Sequence, residues 1–169
     1  MKISTRGEYG LRALMELGLE PSKGLSLRDI ATRQNISLDY LEQIVPALKS
    51  SGLVKAKRGA QGGYQLAKDP SEITVLEALR ALEGPFEPMI CLSDGTKSSI
   101  SSNSAAKNSS CGASGSCAVQ EVWRELQLAV ETVLQKLTLA ELLRRQEEQF
   151  GVPIRTYRER ALAPLPILN

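Results

Sequence analysis

Three cysteines are the most reactive side chains of the sequence, and they stand close enough along the chain to act together. Cys91, Cys111 and Cys117 are its only cysteines, and all fall in a segment rich in serine, asparagine and glycine. The run from Cys111 to Cys117 is flexible enough to bring both sulfurs to one metal ion or cluster. Thiolates suit an iron–sulfur cluster, and zinc would accept them as well. The pair could instead form a reversible disulfide, and incidental thiols are the simplest alternative.

The chain contains no histidine, which excludes several classes of site. Serine–histidine–aspartate and cysteine–histidine catalysis are ruled out, as is every histidine-ligated zinc site. No nucleophile–base pair or phosphate-binding loop is visible, so we do not expect an enzyme. The odd number of cysteines argues against a secreted disulfide framework and favours the cytoplasm. We also expect no signal peptide and no membrane span, because no apolar run approaches about 18 residues.

A stretch of basic residues marks the first half of the chain. It contains five basic residues, which are Lys49, Lys55, Lys57, Arg58 and Lys68. No acidic residue lies between Lys49 and Lys68. The net charge of the whole chain is only +2, but residues 1–69 hold eleven lysines and arginines against seven acidic residues. This modest local surplus is compatible with a polyanionic partner but does not establish one.

The elements around the basic stretch form a recognisable arrangement. Apolar residues at helical spacing predict a helix from Leu38 that ends at Gly52. The alternation in residues 53–57 predicts a half-buried strand, and a glycine-rich turn leads to a second strand from Tyr64. We expect Pro46 to kink or shorten the helix. A helix followed by a basic hairpin is typical of a winged helix-turn-helix, although it could also be a structural element without a ligand.

Capping residues predict where the other helices begin. The predicted capping box of the first helix, over residues 6–19, pairs Thr5 with Glu8. Further helix starts are expected at Ser26, Ser37, Thr74 and Thr138. The helix from Ser26 should end near Gln34, so that residues 35–37 form the turn of a helix-turn-helix whose next helix enters the major groove.

The second half of the chain differs in composition. Residues 85–117 predict a long, flexible loop that carries the cysteines. Residues 118–150 predict a long helix with one apolar stripe and a short following helix, and residues 151–169 an extended tail. This stripe could be ordinary core, but the winged helix-turn-helix of residues 1–84 is complete without it, so we expect a second copy of the chain to cover it. The predicted fold class is mostly α with a small β-hairpin wing, plus a long dimerisation helix.

Residues on the exposed face of the third helix and on the wing are the predicted DNA contacts. They are Ser37, Asp39, Tyr40, Glu42 and Gln43 on the helix, and Lys55, Lys57, Arg58, Gly59, Gln61 and Gly62 on the wing. Glu42 can accept a hydrogen bond from cytosine, and Gln43 can contact adenine. Arg58 suits a narrow minor groove, and Lys55 and Lys57 suit phosphates. We expect the wing glycines to allow positive φ and a close approach to the sugar–phosphate chain.

Several blocks of the sequence resemble the Rrf2 family of bacterial transcription regulators. The blocks are MKISTRGEYGLRAL at the N-terminus, YLEQ and RGxxGGY in the helix and wing, and TLAELL after the long helix. The resemblance implies a winged-helix homodimer on palindromic promoter DNA, often as a repressor. It places DNA contacts at Ser37, Tyr40, Glu42, Gln43 and Arg58. Asp39 stands where relatives often have a small neutral residue.

The resemblance extends to the cysteines. Cluster-binding members carry three cysteines in this loop and sense iron, redox state or nitric oxide, which implies a cluster on Cys91, Cys111 and Cys117. We expect a [2Fe-2S] cluster, with [4Fe-4S] as the alternative. Nineteen residues separate Cys91 from Cys111, where a short gap is usual, and Gln120 replaces the histidine of one subgroup. Glu8 of the partner subunit is then the candidate fourth ligand, with its capping role as the alternative.

The sequence is also compatible with two other functions. One is an Rrf2-type regulator controlled by thiol–disulfide chemistry or by a protein partner. The other is an iron–sulfur or zinc protein that acts in electron transfer or assembly.

Overall fold

The helices and strands follow the predicted order. The computed structural model describes residues 4–21, 24–57, 62–88, 92 and 117–150. The helices and strands in this part of the chain are α1 Thr5–Leu19, α2 Leu27–Gln34, α3 Leu38–Ser50, β1 Val54–Lys57, β2 Gly63–Leu66, α4 Val75–Glu83, α5 Ala118–Lys136 and α6 Leu139–Phe150. The mostly helical fold with one hairpin is therefore confirmed.

The start of α1 differs from the predicted capping box. Ser4, one residue earlier, is the N-cap, and its side chain accepts hydrogen bonds from the backbone N–H groups of Arg6 and Gly7. The backbone N–H and the hydroxyl of Ser4 donate to Glu83 at the end of α4, over 3.1 and 3.0 Å. Glu83 thus does from another helix what Glu8 was predicted to do from within α1. The predicted capping role of Glu8 is therefore wrong, because Glu83 of α4 accepts the hydrogen bond from the N-cap N–H.

The helix-turn-helix has the predicted boundaries. Ser26 and Asp29 form a reciprocal capping box at α2, and Asn35 ends that helix in the left-handed conformation, with φ 53° and ψ 47°. Asparagine tolerates this conformation better than most residues. Ser37 is the N-cap residue of α3, but its side chain makes no capping hydrogen bond. Pro46 does not shorten α3, which continues to Ser50.

The wing is a short antiparallel hairpin joined to the start of α2. Val54 pairs with Leu66 and Lys57 with Gly63. Leu25 forms a bridge to Tyr64 through two backbone hydrogen bonds of 2.9 and 2.8 Å. A Cβ on Gly63 would lie 2.5 Å from the carbonyl oxygen of Leu25. Gly63 therefore permits a close backbone contact within the protein, and its φ is not positive.

The predicted alternation in β1 is only partly right. Leu53 and Val54 are both buried, whereas Ala56 is exposed and Lys57 is half-buried. Ala56 stays exposed, although Tyr64, its partner on β2, is half-buried and packs against the core. A Cβ on Gly24 would lie 3.1 Å from Cδ of Lys57, which places the aliphatic stem of the lysine against that backbone.

Helices α1, α2, α3, α4 and α6 and the hairpin all contribute side chains to one apolar core. Its fully buried side chains include Leu14, Ile30, Leu41, Leu48 and Leu53. Leu139, at the start of α6, is also 2% exposed and belongs to the same core. The predicted boundary between residues 1–84 and residues 118–150 therefore does not separate two cores.

The long helix α5 is fixed to the rest of the molecule at its C-terminal end. The N–H of Val75 donates to the carbonyl of Leu137, and the N–H of Leu139 donates to that of Ile73, both over 2.8 Å. Arg80 on α4 forms an ion pair of 2.9 Å with Glu131 on α5. Thr138 caps α6 as predicted, since its hydroxyl accepts from the N–H of Glu141. No helix among the described residues is long and apolar enough to cross a membrane.

Candidate DNA-binding interface and sensor residues

The N-terminal half of α3 presents a polar, exposed face. Ser37, Asp39, Glu42 and Gln43 are all exposed, while Leu41, Ile44, Val45 and Leu48 hold the other side of the helix in the core. Within the described part of the chain, the side chains of Glu42 and Gln43 form no hydrogen bond or ion pair. Both side chains are therefore available to a ligand, as a base-reading helix requires.

Tyr40 differs from the other predicted contacts on α3. It is half-buried and packs against the core. Its ring meets that of Tyr9 on α1 edge to face, with centroids 5.6 Å apart and planes at 86°. Arg12 lies over the other ring, with its guanidinium carbon 5.5 Å from the centroid of Tyr9. Tyr40 thus joins the first turn of α3 to α1.

The wing carries positive charge beside this face. Lys55 is exposed on β1, Lys57 is half-buried, and Gly62 is exposed just before β2. No ion pair neutralises Lys55 within the described residues. Arg58, Gly59 and Gln61 lie outside the described residues, so their DNA contacts stay predictions.

The predicted metal ligands are only partly covered by the structure. Cys91 and Cys111 lie outside the described residues. Cys117 is half-buried at the N-cap of α5, and its side chain makes no capping hydrogen bond. Glu8 is 62% exposed, and its carboxylate lies 3.5 Å from Nη1 of Arg12. Among the described residues, no group of three cysteine, aspartate or glutamate side chains could hold a metal ion.

A buried polar cluster connects α1 to the end of α2. Gln34 is 2% exposed and Glu16 is 0% exposed. Nε of Arg12 donates to Oε1 of Gln34 over 2.8 Å, and Nε2 of Gln34 donates to Oε1 of Glu16 over 2.6 Å. Sequence reasoning missed this cluster. The available signal was that Gln34 stands four residues after Ile30, on the apolar side of α2.

This environment affects the carboxyl of Glu16. Burial raises its pKa above the ordinary value of 4.5, while hydrogen bonds from Gln34 and from Arg33 act in the opposite direction. Arg33 reaches Glu16 over 3.3 Å and Glu20 over 2.7 Å. The buried carboxyl is thus hydrogen-bonded but incompletely compensated for its loss of water.

The long helix α5 exposes one apolar stripe. Val119, Val122 and Val133 are 59%, 58% and 58% exposed, and Leu126 is 40% exposed. With Ala129 they recur at alternating steps of three and four residues, which is the spacing of a coiled-coil seam. Trp123, Val130 and Leu134, on the neighbouring side of the helix, are half-buried. The described part of the chain does not cover the exposed stripe.

The fold and the exposed face of α3 define the class as winged helix-turn-helix DNA-binding proteins. The chain belongs to the Rrf2 family, since residues 3–145 match the family described as an iron-dependent transcriptional regulator. CymR of Bacillus subtilis, an HTH-type transcriptional regulator, is 40% identical over 143 residues, which cover 84% of this chain and 89% of CymR. The protein is therefore a transcriptional regulator and not an enzyme.

Solved structures agree with this assignment. IscR of T. potens matches with a TM-score of 0.67 at 35% identity, covering 89% of this chain and 91% of that one. The oxidised form of Staphylococcus aureus CymR matches with a TM-score of 0.60 at 36% identity, covering 84% of this chain and 95% of that one. The predicted Rrf2 resemblance is confirmed.

Proposed function

We propose that the protein is a homodimeric cytoplasmic repressor that binds a palindromic operator, and that an iron–sulfur cluster sensing iron, redox state or nitric oxide changes its DNA affinity. The uncovered apolar stripe of α5 is the observation that carries the proposal. It supports a dimer, and a dimer presents two copies of α3 to two half-sites.

Each half-site would be read by one subunit. Glu42 and Gln43 are exposed on α3 without partners among the described residues, so they can reach base edges in the major groove. Lys55, Lys57 and the residues of the wing tip would contact phosphates and the minor groove. A two-fold operator with half-site centres roughly 34 Å or a multiple of that apart is the expected target.

DNA binding is tested by selecting duplexes from a random library with the purified wild-type protein. A footprint should cover two inverted half-sites. Arg58→Ala should weaken binding to the selected duplex by about 1–3 kcal/mol, because a guanidinium in a narrow groove would be lost. Unchanged affinity would remove the wing tip from the interface, and a footprint over a single half-site would contradict the dimer.

The residues available to a cluster have suitable chemistry. Three thiolates, from Cys91, Cys111 and Cys117, are soft ligands, and the carboxylate of Glu8 is exposed rather than committed to the helix cap. Glu8 of one subunit and the cysteines of the other would hold the group. When bound, it would supply a redox-active and nitric-oxide-reactive centre. Ligation of Glu8 would draw its carboxylate away from Arg12.

Anaerobic purification tests the cluster directly. Iron and acid-labile sulfide should be present with a visible absorption spectrum, and Cys117→Ser should remove both. Glu8→Gln should change the spectrum without lowering helix content, because Ser4 and Glu83 cap α1 without Glu8. A colourless protein after anaerobic reconstitution, or one that holds stoichiometric zinc, would contradict the proposal.

A second candidate is control by thiol oxidation without a cluster. It is favoured by the likeness to a structure described as an oxidised form of CymR, and by the placement of Cys117 at the N-terminus of α5. In this alternative an oxidant such as peroxide accepts two electrons from Cys111 and Cys117 as their disulfide forms. Peroxide should then lower the protein mass by two hydrogens and change its DNA affinity, and dithiothreitol should reverse both effects.

A further inference from the structure

We infer that Gln34 is a positioning residue for DNA recognition: its carboxamide, held between Arg12 and Glu16, fixes the turn that orients α3. The inference rests on the proposed DNA-reading role of α3. It concerns a residue that is itself too buried to touch DNA.

Charge fixes the orientation of the Gln34 amide. Its oxygen accepts from the guanidinium of Arg12 over 2.8 Å, and its nitrogen donates to the carboxylate of Glu16 over 2.6 Å. Turning the amide over would place its nitrogen against a cation and its oxygen against an anion. Because both contacts are charge-assisted, the side chain has one favourable orientation.

The same guanidinium holds the backbone at the turn. Nη2 of Arg12 donates over 2.8 Å to the main-chain carbonyl of Gln34, the last residue of α2. Asn35 follows in the left-handed conformation, and α3 begins at Leu38. Arg12 also lies over Tyr9, whose ring packs against Tyr40 in the first turn of α3. Arg12 therefore contacts the chain before the turn directly, and the chain after it through Tyr9.

Stability alone does not account for such a cluster. A buried polar network can be replaced by apolar side chains with little loss of stability, whereas its directional bonds favour one geometry. The pair Glu16 and Gln34 offers a clean exchange. The double variant Glu16→Gln, Gln34→Glu exchanges the positions of the amide and the carboxylate. Its hydrogen bonds to Arg12 and Arg33 can all form again, and its net charge is that of the wild type.

The experiment measures the preference of the full-length protein for the selected duplex over a scrambled duplex of equal length. Gln34→Glu places two carboxylates in contact without a donor between them. It should lower the preference by roughly tenfold, comparable to the loss of a base contact. The exchanged double variant should restore it. Gln34→Met removes both side-chain hydrogen bonds without adding charge, and it serves as the second variant should Gln34→Glu fail to fold.

Leu143→Ala is the control for lost stability, because Leu143 packs against the core from α6, where it lies beside Gly18 of α1. Each variant is compared where circular dichroism shows it fully folded. The control should keep the wild-type preference. A folded Gln34→Met with the wild-type preference, or a folded double variant that restores none of it, would overturn the inference.

Amide hydrogen exchange over residues 35–40 gives a readout that is independent of DNA. Exchange there should be faster in Gln34→Met and unchanged in Leu143→Ala. A wild-type protein that prefers no duplex would overturn the proposed function instead, and the exchange rates would then still decide whether Gln34 holds the turn. Equal rates in the wild type and Gln34→Met would refute that part.

Discussion

Gln43 and Lys55 are both exposed, but they should affect DNA binding differently. Gln43 can form two hydrogen bonds to adenine, so Gln43→Ala should cost about 1–3 kcal/mol on the selected duplex and little on a scrambled one. Lys55 would meet a phosphate, so Lys55→Ala should weaken binding to both duplexes and lower the slope of log affinity against log salt by about one. Fluorescence anisotropy over a range of salt concentrations measures both quantities.

The two variants serve as controls for each other. An equal loss on both duplexes in Gln43→Ala would mean that Gln43 contacts the DNA backbone. A changed sequence preference in Lys55→Ala, with the salt slope unaltered, would contradict the phosphate role.

Glu16 should make the free energy of unfolding depend on pH in a predictable direction. Its folded pKa is raised above 4.5, chiefly by burial and against the hydrogen bonds from Gln34 and Arg33, while Glu20 also faces it. Between the unfolded and folded pKa values the native state holds more protons, so stability falls as pH rises through this window. Glu16→Gln cannot titrate. Its stability relative to the wild type should therefore rise across the same window.

Urea denaturation of both proteins between about pH 4.5 and about pH 8 measures this difference, because most other titrations are shared and cancel. A difference that stays constant over the range, or that falls as pH rises, would mean that the pKa of Glu16 is not raised in the folded state.

Sequence reasoning at the residue scale identified exposed groups better than buried ones. Glu42 and Gln43 were expected on the outer face of α3, and they are exposed there. The Ser4–Glu83 contact and the Gln34 cluster depend on helices that meet only in the folded state. Local spacing therefore predicted that Glu8 caps α1, whereas Glu83 does so. It also predicted no partner for Gln34, which bonds to Glu16.

At the scale of elements, the contact of α1 with α4 depends on a missing side chain. A Cβ on Gly10 would lie 2.3 Å from Cδ1 of Leu82. Glycine to alanine in an exposed helix normally stabilises it. Gly10→Ala should instead destabilise the fold by about 1–3 kcal/mol, because α1 and α4 must move apart or Leu82 must leave its place. Thermal or urea unfolding of the variant measures this cost.

A double variant separates the clash from other causes. Leu82→Ala removes the atoms that the new Cβ would meet, so Gly10→Ala in that background should be neutral or stabilising. A cost of equal size in both backgrounds would mean that Leu82 is not the obstacle.

Helix boundaries were more predictable than the exposure of the strands. Ser26, Thr74 and Thr138 cap their helices locally, so short-range spacing was sufficient. The exposure pattern of β1 depends on tertiary contacts: Leu53 and Val54 are buried in the core, whereas Ala56 is exposed. Pro46 does not shorten α3, whose buried side chains hold both halves of the helix against the core.

At the scale of the whole molecule, one side of α5 packs against the rest of the described chain and another side is exposed. The backbone bonds at Leu137 and Leu139 and the Arg80–Glu131 ion pair fix its C-terminal half. The seam from Val119 to Val133 is left uncovered by the described residues. The sequence predicted the stripe, but only the fold distinguishes its exposed residues from Trp123, Val130 and Leu134, which are half-buried.

The seam gives a sharp prediction about the oligomeric state. Val122 and Leu128 are both 58% exposed on α5, but Val122 lies in the seam, and Leu128 is on the opposite side of the helix. A second copy on the seam would bury a charge at position 122 and not at position 128.

Val122→Glu should therefore yield monomers by analytical ultracentrifugation and weaken binding to the two-half-site duplex far more than to a single half-site. Leu128→Glu carries the same charge and should remain dimeric. If both variants dimerise like the wild type, the seam is not the subunit interface, and if Leu128→Glu alone dissociates, the partner covers the opposite side of α5.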